Sequence, residues 1–210
     1  MTANQLGDKP RGRPAKEGRS DDILDAALEE FSTKGFEAAR LDDVAKRAGI
    51  SKGTIYLYFN SKDQLFEGVV RRWVLPRVSA AEELLANHDG PVEALIRAQV
   101  RGIYQELAGS RLREILRLMI AEGPRFSHLV DFYYETVIQR GLKTLQKTIE
   151  LGVKRGEFRQ TALPDHPQVV LGPVIVAAIW KILFERHHTL DSEQLFETHF
   201  DILMNGLKNS

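Results

Sequence analysis

Hydrophobic positions recur at helical spacing along most of the chain, and glycine, proline and capping residues divide them into about nine helices. The first stripe is Ile23, Ala27 and Phe31. It follows Ser20, Asp21 and Asp22 and closes at Gly35, which predicts a support helix starting near Ser20. Leu41, Val44, Ala45 and Ala48 mark a short second helix that Gly49 stops. Ser51 caps a third, predicted to run through Phe59. Ser61 and Gln64 have capping-box spacing and start a fourth, continued by Leu65, Val69 and Trp73. Pro76 removes a backbone donor there and predicts a kink near Leu75.

After Gly90 and Pro91, the series Val92, Leu95, Ile96, Val100, Ile103 and Leu107 predicts another amphipathic helix, closed by Gly109. A shorter one carries Leu112, Ile115, Leu116 and Met119 to Gly123 and Pro124. A long helix over 126–154 follows, through Leu129, Tyr133, Val137, Leu145 and Ile149. Pro164 and Pro167 separate it from an apolar helix over 168–187, and Ser192 caps a last helix ending near Gly206. No segment alternates convincingly as a strand does, and no repeat of solenoid period occurs. The fold class is all-α.

The apolar run at 169–184, VVLGPVIVAAIWKILF, is too short to span a bilayer and contains Lys181, Gly172 and Pro173, so no membrane partner is expected. Its apolar character extends nearly all round the helix. A four-helix contact across a twofold axis would bury it well, and a wholly internal core position is the alternative.

Length and charge sharpen this picture. A chain of 210 residues supports one or two domains, and the absence of cysteine excludes disulfides and thiolate metal sites and fits a reducing cytoplasm. The opening stretch, MTANQLGDKPRGRP, has no apolar core of a secretory signal. Acidic and basic residues balance at 29 each, so the net charge is silent about nucleic acid and the placement of charge must decide. Lys9, Arg11, Arg13, Lys16 and Arg19 crowd residues 1–19, which lack periodicity and read as a disordered basic arm. Arg40, Lys46, Arg47, Lys52 and Lys62 accompany the two short helices.

Two short helices joined by a turn of about three residues containing glycine form a helix-turn-helix, whose second helix enters a DNA major groove. Ile55 and Phe59 lie four apart and anchor one face; Gly53, Thr54 and Leu57 project from the other, with Tyr56 and Tyr58 on the flanks. Gly53 permits close approach, Thr54 bonds a base edge or phosphate, and Leu57 meets a thymine methyl. The tyrosine hydroxyls donate to phosphates on either wall. Lys62 opposes the helix dipole in the first turn of the fourth helix, a sign that a bound phosphate would reverse.

Residues 23–66, ILDAALEEFSTKGFEAARLDDVAKRAGISKGTIYLYFNSKDQLF, resemble the TetR family of bacterial transcriptional regulators. The resemblance rests on Ala26, Ala27, Phe31, Gly35, Val44 and Ala45, on AGISKGTIYLYF from Ala48, and on Lys62 and Leu65. It implies a homodimer that pairs through its last two helices and places Lys52, Gly53, Thr54, Tyr56, Leu57, Tyr58 and Lys62 against double-stranded DNA. Many members carry Thr where this chain has Arg40, so a hydroxyl ligand is replaced by a guanidinium in reach of phosphate. Residues 10–14, PRGRP, look like an AT-hook core, with Arg11 and Arg13 directed to a narrow minor groove.

Residues 87–210 carry no basic stripe and are expected to sense and dimerise, with 20–66 as the DNA-binding domain and 67–86 as the connecting helix. Within 117–132, RLMIAEGPRFSHLVDF is similar to the regulatory domains described as AefR-like. Met119, Phe126, Phe132, Tyr133, Trp180 and Phe184 are the candidates for lining an effector pocket, with Arg117, Glu122 and His128 as polar anchors. No enzyme, cofactor or metal is expected. There is no cysteine nucleophile, no phosphate-binding glycine loop and no His-Glu metal helix, and His187 and His188 point apart. The expected function is a repressor released from an inverted-repeat operator by a small, largely apolar effector. An architectural DNA-coating protein is the alternative.

Overall fold

The computed structural model describes residues 15–108 and 110–209, and among these no strand forms; a single antiparallel bridge joins Phe158 to Lys208. Helix α1 spans Ala15–Ala38. It begins ahead of the predicted Ser20, because Ala15, Lys16 and Glu17 are good helix formers and extend it past the capping signal. Gly35, at φ +78°, bends it so that Phe36 turns back into the core. The arm residues 1–14, including Arg11 and Arg13, lie outside the described residues.

Helices α2 (Leu41–Arg47) and α3 (Lys52–Tyr56) meet at Gly49, whose φ of +66° reverses the chain. α3 is shorter than its pattern predicted. Leu57, Tyr58 and Phe59 form a turn whose amides donate back to the carbonyls of Thr54 and Ile55. Helix α4 (Lys62–Trp73) starts as foreseen: Ser61 Oγ accepts from the Gln64 amide at 3.2 Å, and Gln64 Oε1 accepts from the Asn60 amide at 2.8 Å. It breaks at Val74, and α5 (Leu75–Ala86) holds Pro76 in its first turn, where a missing N–H is harmless.

Helices α6 (Val92–Ala108) and α7 (Ser110–Glu122) follow. The predicted long helix is α8 (Ser127–Tyr133), a π-helical turn (Tyr134–Ile138) and α9 (Gln139–Lys154) in one continuous path. Helix α10 (Gln168–Leu183) stops short of residue 187. The cap of α11 (Ser192–Leu207) is Asp191, whose carboxylate accepts from the Glu193 and Gln194 amides at 3.0 Å, and not Ser192. With α4–α5 and α8–α9 each taken as one path, the described residues form the nine helices read from the sequence.

Two cores hold these helices together. The first gathers Ile23, Ala27, Phe31, Phe36, Val44, Ile55, Leu65 and Val70 with Ile115, Leu118 and Leu129, so the N-terminal head is seated directly on α7 and α8. Phe126 packs edge-on to Phe36 at 5.0 Å between ring centres, and Phe132 meets Phe66 at 6.4 Å. The second core joins α6, α9, α10 and α11 through Val100, Ile149, Val174, Phe196 and Phe200. One face of α10 enters it, while Val169, Val176 and Leu183 on the other are more than half exposed. A wholly internal position for α10 is thereby ruled out.

Candidate DNA-reading helix and ligand cavity

Helix α1 fixes the reading head through a buried carboxylate. Glu30, only 1% exposed, accepts from Arg47 Nε at 3.1 Å and Nη2 at 2.9 Å and pairs with Lys34 at 2.5 Å; Lys34 also reaches Asp43 at 3.0 Å. These bonds tie α2 to α1 and raise the pKa of Lys34 and Arg47. Arg47 is thus committed inside the head.

On that base α3 is held from behind by fully buried Ile55, with Tyr58 and Phe59 packed partly against the core. Ser51 Oγ caps it, accepting from the Thr54 amide at 3.1 Å. Leu57 is 83% exposed and Tyr56 44%, and Gly53 is open on the same side. An isolated leucine tip flanked by a tyrosine and a glycine gains nothing in water, but it suits a thymine methyl in a groove. Thr54 is half-buried, its hydroxyl 2.7 Å from that of Ser51. Lys52 pairs with Asp42 at 2.8 Å, a hydrogen bond that raises its pKa. Arg40 and Lys46 are exposed, and neither side chain has an ion pair among the described residues.

Lys62 is placed otherwise than its sequence reading assumed. Its ammonium donates to the carbonyls of Phe36 at 2.9 Å and Glu37 at 2.8 Å and lies over the Phe36 ring at 4.8 Å. The unfavourable dipole position at the start of α4 is therefore answered by free carbonyls at the end of α1, without a phosphate.

Below the head a cavity of about 290 Å³ opens between α5, α6, α7, α9 and α10. Of the six apolar candidates only Tyr133 lines it. Met119, Phe126 and Phe132 pack instead against the head core, because α7 lies along α1 and α8 folds back onto α4. Trp180 and Phe184 pack on each other, ring centres 5.2 Å apart, and Trp180 Nε1 donates to the His188 carbonyl at 2.9 Å. The three polar candidates also lie elsewhere: Arg117 is exposed, His128 bonds Asp63 at 2.6 Å, and Glu122 faces the bend at Gly35. The wall is aliphatic, with Gln99, Gly102 and Gly141 as its unexpected members.

Residues 23–69 match the family described as bacterial regulatory proteins, tetR family, and residues 95–195 match the C-terminal domain of AefR-like transcriptional repressors. The chain belongs to the TetR family. Among its relatives, the transcriptional regulator YdeS of Bacillus subtilis is 24% identical over 94% of this chain and 92% of its own length. The transcriptional repressor KstR2 of Mycolicibacterium smegmatis is 26% identical, over 91% and 92% of the respective chains. The solved structure of SmeT with triclosan, SmeT being the repressor of a Stenotrophomonas maltophilia multidrug efflux pump, superposes with a TM-score of 0.78 at 19% identity, over 92% of this chain and 93% of that one. This TetR-family protein is a DNA-binding transcription regulator and not an enzyme. No helix among the described residues is long and apolar enough to cross a membrane.

Gln99, Gly102 and Gly141 line the cavity without an aromatic or charged side chain that would single them out in the sequence. The signal present was the pair of glycines inside helices, each disfavoured there by about 1 kcal/mol relative to alanine.

Proposed function

We propose that the protein works as a homodimer whose two α3 helices occupy successive major grooves of an inverted-repeat operator, and that a small, largely apolar effector releases it. Tyr56, Leu57, Gly53 and Thr54 read bases or sugar-phosphate at close range, Lys52, Tyr58 and Arg40 fix register on phosphates, and Arg11 and Arg13 of the arm add minor-groove contacts. Lys62, its ammonium held by the Phe36 and Glu37 carbonyls, supports the same head from behind these contacts and takes no phosphate. The exposed apolar face of α10, with Val176 59% exposed, and the exposed Ile202 of α11, at 67%, support pairing of these helices across a twofold axis.

Val74 is the observation that carries the release mechanism. It is buried in the core that holds the reading head and also forms part of the cavity wall. A ligand pressing on Val74, Val78 and Ala81 acts on the break between α4 and α5, and α4 carries the head. Two reading helices must stand about 34–36 Å apart on one face of the duplex. An effector favouring a wider spacing by about 4 kcal/mol weakens operator binding about a thousandfold. KstR2 is named a repressor and SmeT was solved with triclosan, which supports repression and a small ligand here.

Selecting bound fragments from the source genome with purified protein tests the reading. Recovery of one inverted-repeat site, preferred over random duplex by at least about a thousandfold, is expected. Uniform binding to all fragments would favour the architectural alternative. Removal of residues 1–14 is expected to lower the salt slope of binding by about 0.9 for each phosphate that the arm neutralises.

A further inference from the structure

The cavity differs in two respects from a gap left by imperfect packing. Gly102 on α6 and Gly141 on α9 both line it, and a Cβ built on either would meet no atom within 4 Å. Glycine inside a helix is ordinarily kept where another backbone or side chain comes close; here the space beside each is open. The second respect is polar. Gln99 is only 5% exposed, its Nε2 donates to the Ala81 carbonyl at 3.4 Å, and its buried Oε1 has no hydrogen-bond partner. A buried acceptor without a donor is costly, so the wall lacks one proton donor.

The rest of the wall limits what brings that donor. Its charged side chains, Arg77 and Glu106, are paired with each other at 2.6 Å, which leaves no charge to receive an ionised ligand. Tyr133 adds a hydroxyl that burial holds protonated to about pH 12, so it presents no anion. About 290 Å³ lies just below the usual range of ligand cavities, roughly 300–1,000 Å³, and suits a small molecule.

We propose that this cavity selects an uncharged, mainly aliphatic molecule bearing a hydroxyl group, whose O–H donates a hydrogen bond to Gln99 Oε1 while its apolar body fills the space beside Gly102 and Gly141. The inference rests on the cavity being the effector site and adds the chemical class of effector.

Titration calorimetry of the full chain with 1-decanol, its methyl ether and decanoate at pH 7.5 tests it. 1-Decanol should bind at least tenfold more tightly than either of the others. Gln99→Leu should weaken 1-decanol about tenfold and change the ether less than twofold. Gly141→Leu should block all three without lowering the melting temperature. Tightest binding by decanoate, equal binding of alcohol and ether, or no binding by any probe up to its solubility limit overturns the proposal. The ranking on the unaltered chain decides alone should Gln99→Leu fail to fold. Operator affinity measured in parallel separates the two readings. Alcohol bound with DNA still held tightly overturns effector release and leaves the ligand class standing, whereas the wrong ranking with DNA released overturns the ligand class alone.

Discussion

Lys62 meets Phe36 twice, through a 2.9 Å hydrogen bond from its ammonium to the Phe36 carbonyl and through the Phe36 ring 4.8 Å beneath the same charge. Phe126 lies under that ammonium too, at 5.9 Å, so one side chain joins the end of α1, the start of α4 and the approach to α8. Lys62→Met keeps the aliphatic stem and removes the charge. It is expected to destabilise the protein by about 1–2 kcal/mol in urea melts. The salt slope of operator binding should stay as it was; a fall of about 0.9 would restore Lys62 as a phosphate ligand.

The exposed face of α3 yields the second prediction. Changing Thr54, Tyr56 and Leu57 together to alanine removes outward-facing groups and leaves the core untouched, since Ile55 alone of this helix is fully buried. Far-UV circular dichroism should be unchanged. Fluorescence anisotropy should show specific affinity lower by at least about 3 kcal/mol, because single base contacts are each worth about 1–3. Undiminished operator binding by the folded triple variant would remove α3 from the interface.

Val176 lies on the outward face of α10, 59% exposed. Val176→Glu should leave the protomer folded, yet in a dimer packed through α10 it brings two carboxylates into an apolar contact. Sedimentation equilibrium is expected to give a monomer for the variant and a dimer for the parent. A dimer of unchanged strength in both would move the interface elsewhere.

Acid should weaken the C-terminal core through His199. Burial lowers its pKa below the usual value, and Tyr104 meets its Nδ1 at 3.2 Å. The unfolded chain therefore binds the proton more readily. This contribution to stability is complete above about pH 6.5 and is lost as pH falls toward the depressed folded pKa, at no more than about 1.4 kcal/mol per pH unit. Thermal melts between pH 7.5 and 5 should show this slope, and His199→Gln should flatten it.

How legible all this was depended on the range of the interactions. Gly49, the Ser61–Gln64 cap and the Ile55 anchor act within a few residues, and each is where its pattern put it. The end of α10 and the choice of Asp191 over Ser192 turn on one or a few positions among residues of similar propensity. Phe126 and Phe132 were misread for a different reason. Their partners, Phe36 and Phe66, lie far back in the chain, and only the return of α8 onto α4 directs them to the head. The cavity escaped notice because it is defined by what glycine leaves out, and its aliphatic wall has the same periodicity as any core.

The wide turn at Tyr134–Ile138 has a consequence for insertions and deletions. Leu129 and Leu145 are both buried, yet on an uninterrupted α-helix they would stand about 160° apart and one would face water. A π turn absorbs one residue's worth of rotation and brings the two within about 60°. The helix on each side thus keeps its own inward stripe. Removing one residue from this turn would straighten it into ordinary helix with both stripes still aligned, whereas the same deletion a turn away, in α9, would swing its far end round by about 100°.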